Sequence, residues 1–141
     1  MKENINALDE RLQTISNIIK GNKKIIVTTI SSVLKELIPF EYLRSSVVRL
    51  KKGSSVSRKE LISSLIKLGY RKVPTTNAVG DFSVRGEVID IYSLCSDNPI
   101  RIDFFDDEIE DIRYFDKDNQ RTIKTNKLNE IEILPCTELV Y

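Results

Sequence analysis

The 141 residues are 40% hydrophobic and 30% charged, enough aliphatic content for one folded domain with a real core and too much for a disordered chain. A formal charge of +1 gives no global attraction to nucleic acid or an anionic membrane. There is no histidine, so the usual neutral-pH acid/base residue and the commonest zinc ligand are missing, and no apolar run is long enough to cross a bilayer.

The first helical period runs through Ile5, Leu8, Leu12, Ile15 and Ile19 and predicts a surface helix ending near Gly21. Lys23 to Thr29, centred on Ile25, Ile26 and Val27, reads as a buried strand. Ser31 or Ser32 can cap a short helix through Leu34 and Leu37, which Pro39 stops. Helix, strand, helix is half of an α/β layer arrangement, and a parallel strand needs neighbours and cover on both faces. Residues 1–44 therefore read as the edge of a larger, neighbouring α/β domain, with an independent small subdomain as the alternative.

A second unit, residues 45–135, opens near Ser45. Val47, Val48 and Leu50 form a strand, followed by a basic Gly-Ser turn. Ser57 with Glu60 three residues on is a capping-box signature, and the helix it starts buries Leu61, Leu65 and Leu68, with Ile62 and Ile66 widening the stripe up to Gly69. Short strands follow: Arg71 to Ala78, then Phe82 to Arg85 and Glu87 to Tyr92 around a bulge or bend at Gly86. After the Asp97-Asn98-Pro99 turn, Ile100 to Phe105 reverses at Asp106-Asp107 into Ile109 to Phe115. Placing both Phe104 and Ile112 inward calls for a bulge near that turn. A polar stretch, Asp116 to Asn129, separates this hairpin from a last strand at Ile131 to Ile133 or Leu134, and residues 136–141 form a tail or a return to the neighbouring domain. The expected class is α+β: a mostly antiparallel sheet with one packed helix, after a helix–strand–helix segment of α/β character.

Three residues stand out as binding candidates. If Ile100, Ile102 and Phe104 face the core, Arg101 and Phe105 share the opposite face, and an exposed aromatic beside an arginine is hot-spot composition. The plainer reading, of equal weight, has that face covered and Phe105 in the core. Arg85, just before Gly86, can offer a two-pronged bridge to a partner's carboxylate, or pair internally with Asp103 or Asp90.

The remaining features carry less. The acidic run Asp106, Asp107, Glu108, Glu110 and Asp111 lacks the spacing and central glycine of a calcium loop and reads as a solvated turn. No phosphate-binding GxxxxGK[ST], GxGxxG or GxSxG motif occurs, which leaves catalytic and nucleotide-binding classes without support. The basic segment 49–59, with Arg49, Lys51, Lys52 and Lys59, can touch phosphates but has no interleaved aromatics for stacking. Cys95 and Cys136 form no CxxC; two free thiols in a reducing cytoplasm is the simpler reading and one disulfide the other.

Two runs carry a resemblance: Gly80-Asp-Phe-Ser-Val-Arg-Gly-Glu-Val-Ile-Asp-Ile-Tyr, and Pro99-Ile-Arg-Ile-Asp-Phe-Phe-Asp-Asp-Glu-Ile-Glu-Asp-Ile-Arg-Tyr-Phe-Asp. Together they resemble the domain shared by the excision-repair protein UvrB and the transcription-repair coupling factor Mfd. Leu50-Lys-Lys-Gly with Ser57-Arg58, Asp116 with Gln120-Arg121-Thr122, and Ile133-Leu134-Pro135 tilt the likeness toward the coupling factor, over about residues 25–138. The resemblance implies a module that binds UvrA, inserted into a degenerate helicase-like α/β domain, with the family's contact residues falling on Arg85, Arg101 and Phe105. It also implies that ATP, magnesium, DNA and RNA polymerase belong to parts of a longer translocase outside these residues, so that this stretch holds no cofactor and no catalytic residue. Glu87, where the family often has Gly or Ala, and Tyr92-Ser93, where it often has Phe-Pro, depart from the pattern without removing a contact residue. The equivalent UvrB domain, and a non-specific nucleic-acid-binding domain using residues 49–59, are the alternatives.

Overall fold

The computed structural model describes residues 5–19, 21, 25–31 and 40–137. Helix α1 spans Ile5–Ile19, α2 Phe40–Ser45 and α3 Arg58–Lys67. Among the described residues eight strands accompany them: β1 Val48–Lys51, β2 Arg71–Lys72, β3 Asp81–Arg85, β4 Val88–Ile91, β5 Ile100–Phe105, β6 Glu108–Phe115, β7 Thr122–Lys127 and β8 Glu130–Ile133. The larger sheet has the order β2-β3-β4-β5-β6-β7, antiparallel at every step except β2 with β3. A separate antiparallel pair joins β1 to β8, with Val48 opposite Ile133. The fold is α+β with mostly antiparallel sheets.

The core lies on one face of the larger sheet. Ile89, Ile91, Ile102, Phe104, Ile109 and Ile112 point into it, and α3 covers them with Leu61, Leu65 and Leu68. The α3 N-terminus is capped by Ser57, whose Oγ accepts from the Glu60 amide at 3.4 Å. Gly69 follows the helix at φ +88°, and its missing Cβ makes room for Thr137, whose Cγ2 would lie 2.9 Å from such an atom. Gly80 does the same for the Cys136 thiol, at 2.8 Å. Ile66, expected to widen the buried stripe, is exposed, because it sits one residue past Leu65 and so 100° further round the helix.

Three further readings are changed by the structure, and one lies largely outside the described residues. Ile25 to Thr29 forms no strand and Ile25 and Val27 are exposed, since no strand among the described residues supplies it with a hydrogen-bonded ladder. Of the helix expected from Ser31 or Ser32 through Leu37, Ser31 is helical and residues 32–37 lie outside those described, as do Lys23 and Lys24. The strand expected over Arg71 to Ala78 stops at Lys72; Pro74 has no N–H for a ladder, and the chain continues as a loop across the outer face. The polar stretch Asp116 to Asn129 contains β7, an edge strand whose lysines suit an edge. Leu12 of α1 is also buried in the common core, and Asp9 Oδ1 accepts from the Cys95 amide at 2.7 Å.

Candidate functional site

The two hairpins that carry the candidate residues close through tight two-residue turns. Arg85 pairs with Val88 across Gly86-Glu87, Gly86 taking φ +59°, and Phe105 pairs with Glu108 across Asp106-Asp107, Asp106 taking φ +53°. Gly86 thus marks a hairpin turn, not a bulge. The bulge lies elsewhere. Asp103 pairs with Asp111 and Phe104 with Ile109, which leaves Glu110 without an opposite residue. That extra residue lets Phe104, Ile109 and Ile112 all face the core, as the sequence required.

Alternation then sends Ser83, Arg85, Val88, Asp90, Arg101, Asp103 and Phe105 to the sheet face opposite the core. The three predicted residues share that face but differ in environment. Phe105 is 63% exposed. The Arg85 side chain is 52% exposed, and Arg101 only 14%.

Asp90 lies between the arginines with its side chain 0% exposed. Its Oδ1 accepts from Arg101 Nε at 2.7 Å, and its Oδ2 accepts from Arg101 Nη2 and Arg85 Nη2, both at 2.8 Å. Hydrogen bonding to this carboxylate holds the Arg101 guanidinium above its ordinary pKa. The same guanidinium stacks over Phe115, 4.4 Å from the ring centroid, and its Nη1 donates to the Gln120 carbonyl at 3.1 Å. Of the two internal partners the sequence allowed for Arg85, Asp90 is therefore the one used. Asp103 is paired with Arg113. A line of charges continues through Arg113 and Asp111 to Lys52, whose Nζ is 3.1 Å from Asp111. Burial works against the Asp111 charge, but the Lys52 ammonium, the Ile112 amide and Arg113 together outweigh it and hold that carboxyl below its ordinary pKa.

The loop from Val73 to Ala78 closes the inner part of this face: Thr76, buried, donates from Oγ1 to Ser83 Oγ at 3.1 Å. Sequence reasoning named Arg85, Arg101 and Phe105, with Asp90 as one possible partner of Arg85, but not that Asp90 joins the two arginines. A signal existed, because an acid between Ile89 and Ile91 in an alternating strand must face away from the core. Phe115 and Gln120, which fix Arg101 from the β6 side, had no local signal.

Among the described residues no three metal-ligating side chains converge, and no helix is long and apolar enough to cross a membrane. A groove of about 280 Å³ lies away from the arginines, lined in part by Ser93, Cys95, Tyr114, Leu128 and Glu130. The arrangement offers an exposed aromatic and a partly available guanidinium on a braced sheet face. Such groups are of the kind enriched at protein–protein contacts.

Residues 48–139 match the family described as the UvrB interaction domain. The transcription-repair-coupling factor of Bacillus subtilis is 38% identical over 131 residues, 93% of this chain and 11% of its own length. Those of Myxococcus xanthus and Escherichia coli are 33% and 31% identical, over 95% and 93% of this chain. The chain spans 11% of the length of these relatives. It belongs to the UvrB interaction domain family, and its likeness extends over nearly all its residues to transcription-repair-coupling factors.

Proposed function

We propose that residues 45–135 are a non-catalytic docking module through which a transcription-repair coupling factor recruits UvrA in transcription-coupled nucleotide excision repair, with Arg85, Arg101 and Phe105 as the contact set. The observation that carries the reading is the exposure of Phe105, 63%, on the face shared with Arg85 and turned away from the core. A large aromatic held out of a well-packed sheet beside an arginine is what an interface centre requires. Residues 1–44 would belong with a neighbouring α/β domain. ATP, magnesium, DNA and RNA polymerase would be engaged by other parts of a longer cytoplasmic translocase, and this module would need no cofactor.

The named relatives are coupling factors, which favours that setting over the equivalent domain of UvrB. A nucleic-acid role for segment 49–59 has weaker support, because Arg49 is paired with Glu132 and Lys52 with Asp111. The test is calorimetric titration of UvrA with the alanine variants R85A, R101A and F105A, each checked for an intact fold. F105A is expected to weaken binding by roughly thirtyfold, the scale of a hot-spot side chain. Unchanged affinity in all three variants would end the proposal.

A further inference from the structure

Asp90 cannot touch a partner, because its side chain is fully enclosed, yet it is bonded to both arginines of the proposed contact set. It sits on β4, opposite Ser83 on one neighbouring strand and Arg101 on the other. The two guanidinium groups it joins are used very differently. A guanidinium has five N–H donors. Arg101 directs three of its nitrogens inward, two to Asp90 and one to Gln120, and lies flat on Phe115. Arg85 gives a single nitrogen to Asp90, and its Nε and Nη1 have no partner among the described residues.

We infer that Asp90 is a positioning residue: it holds Arg85 in a fixed, half-free pose for an acceptor on the partner, with Arg101 serving chiefly as the brace that fixes Asp90. The inference rests on the docking reading above and assigns Arg85 the direct contact. An exposed arginine ordinarily surrenders side-chain rotamer entropy on binding. Anchoring one nitrogen to a buried carboxylate meets part of that cost before the partner arrives. Without the Asp90 charge the two guanidinium groups lose their common counter-ion, repel each other, and Arg85 is released to solvent. The acceptor that Arg85 meets is a carboxylate or backbone carbonyl, the groups its two open nitrogens suit.

A double-mutant cycle with UvrA tests this, using Asp90→Asn, which preserves shape while removing the charge. Asp90→Asn should weaken binding about tenfold in the wild-type background, the loss of a charge-assisted hydrogen bond, and by less than about twofold when Arg85 is already alanine. An equal loss in both backgrounds means that Asp90 supports the fold without positioning Arg85, and overturns the inference. No loss for Asp90→Asn, while R85A and F105A still weaken binding, overturns it too and leaves the docking reading standing. If R85A, R101A and F105A are also silent, the docking reading itself has failed. Should Asp90→Asn not fold, side-chain nitrogen relaxation of the unmodified chain decides the matter. An ordered Arg85 guanidinium in the free protein is the expected result, and a freely rotating one refutes the proposal.

Discussion

Phe104 and Phe105 are adjacent on β5 and separate two consequences of one strand. Phe104 is 2% exposed within the core, whereas Phe105 is 63% exposed on the outer face. Replacing Phe104 with alanine removes a buried ring and leaves a cavity, a loss of about 3–5 kcal/mol. Full burial of a phenylalanine is worth roughly 1.5–3 kcal/mol, so F105A, at little more than a third buried, should cost about 0.5–1 kcal/mol. For a domain of this size each kcal/mol moves the melting temperature by about 3–4 °C. F104A should therefore melt roughly 10–20 °C below the parent chain and F105A within about 4 °C of it. Urea unfolding followed by far-ultraviolet circular dichroism, with both variants at equal concentration, measures the difference directly. Comparable destabilisation by the two would mean that Phe105 is packed, and the assignment of faces across the Glu110 bulge would be wrong.

Two further outcomes follow from the packing. Deleting Glu110 should leave a folded chain, because the pairs on either side, Asp103 with Asp111 and Phe104 with Ile109, become consecutive in a regular ladder; deleting Arg113 instead shifts that strand by one residue against β5, and a two-dimensional NMR spectrum will show which variant keeps dispersed signals. Cys136 is a free, buried thiol whose pKa burial pushes up from 9.0 to about 11. Its thiolate fraction at pH 8 should be about a hundredfold below that of the unfolded chain, giving correspondingly slow alkylation by iodoacetamide, read by peptide mass mapping. The sign for stability is also set: the folded value is raised, so the contribution is intact below pH 9 and is lost as pH climbs toward 11. Alkylation at the unfolded rate in native buffer would show that the thiol is not enclosed.

Much of the module could be read from local pattern because its elements obey local rules. The Ser57 cap, the Asp106-Asp107 reversal and the 100–115 hairpin depend on residues a few positions apart, and each formed where the spacing put it. The bulge was legible for a different reason: two buried residues of wrong parity force an extra residue between them. What failed depended on distant partners. β7 is polar in sequence and is a strand because β6 offers it a ladder, while Ile25 to Thr29 is apolar in sequence and is not one because nothing described offers a ladder to it. At the site, strand parity located Arg101 and Phe105 on one face, and Arg85 was singled out by its place before Gly86. It left open whether Phe105 was covered, since that depends on where the Val73–Ala78 loop and α3 pack. The Asp90 hub brings together three strands, a relation no single window of sequence contains.

The pairing of β1 with β8 has a consequence for how this unit can be carried. Val48 and Ile133 are direct cross-strand neighbours, so the polypeptide enters and leaves the sheet region side by side. A host protein would then meet the intervening 48–133 stretch as it meets a surface loop, at two adjacent anchor points. The face that carries Arg85, Arg101 and Phe105 is formed within that stretch, while Leu12, Cys136 and Thr137 pack against it from outside the two anchor points.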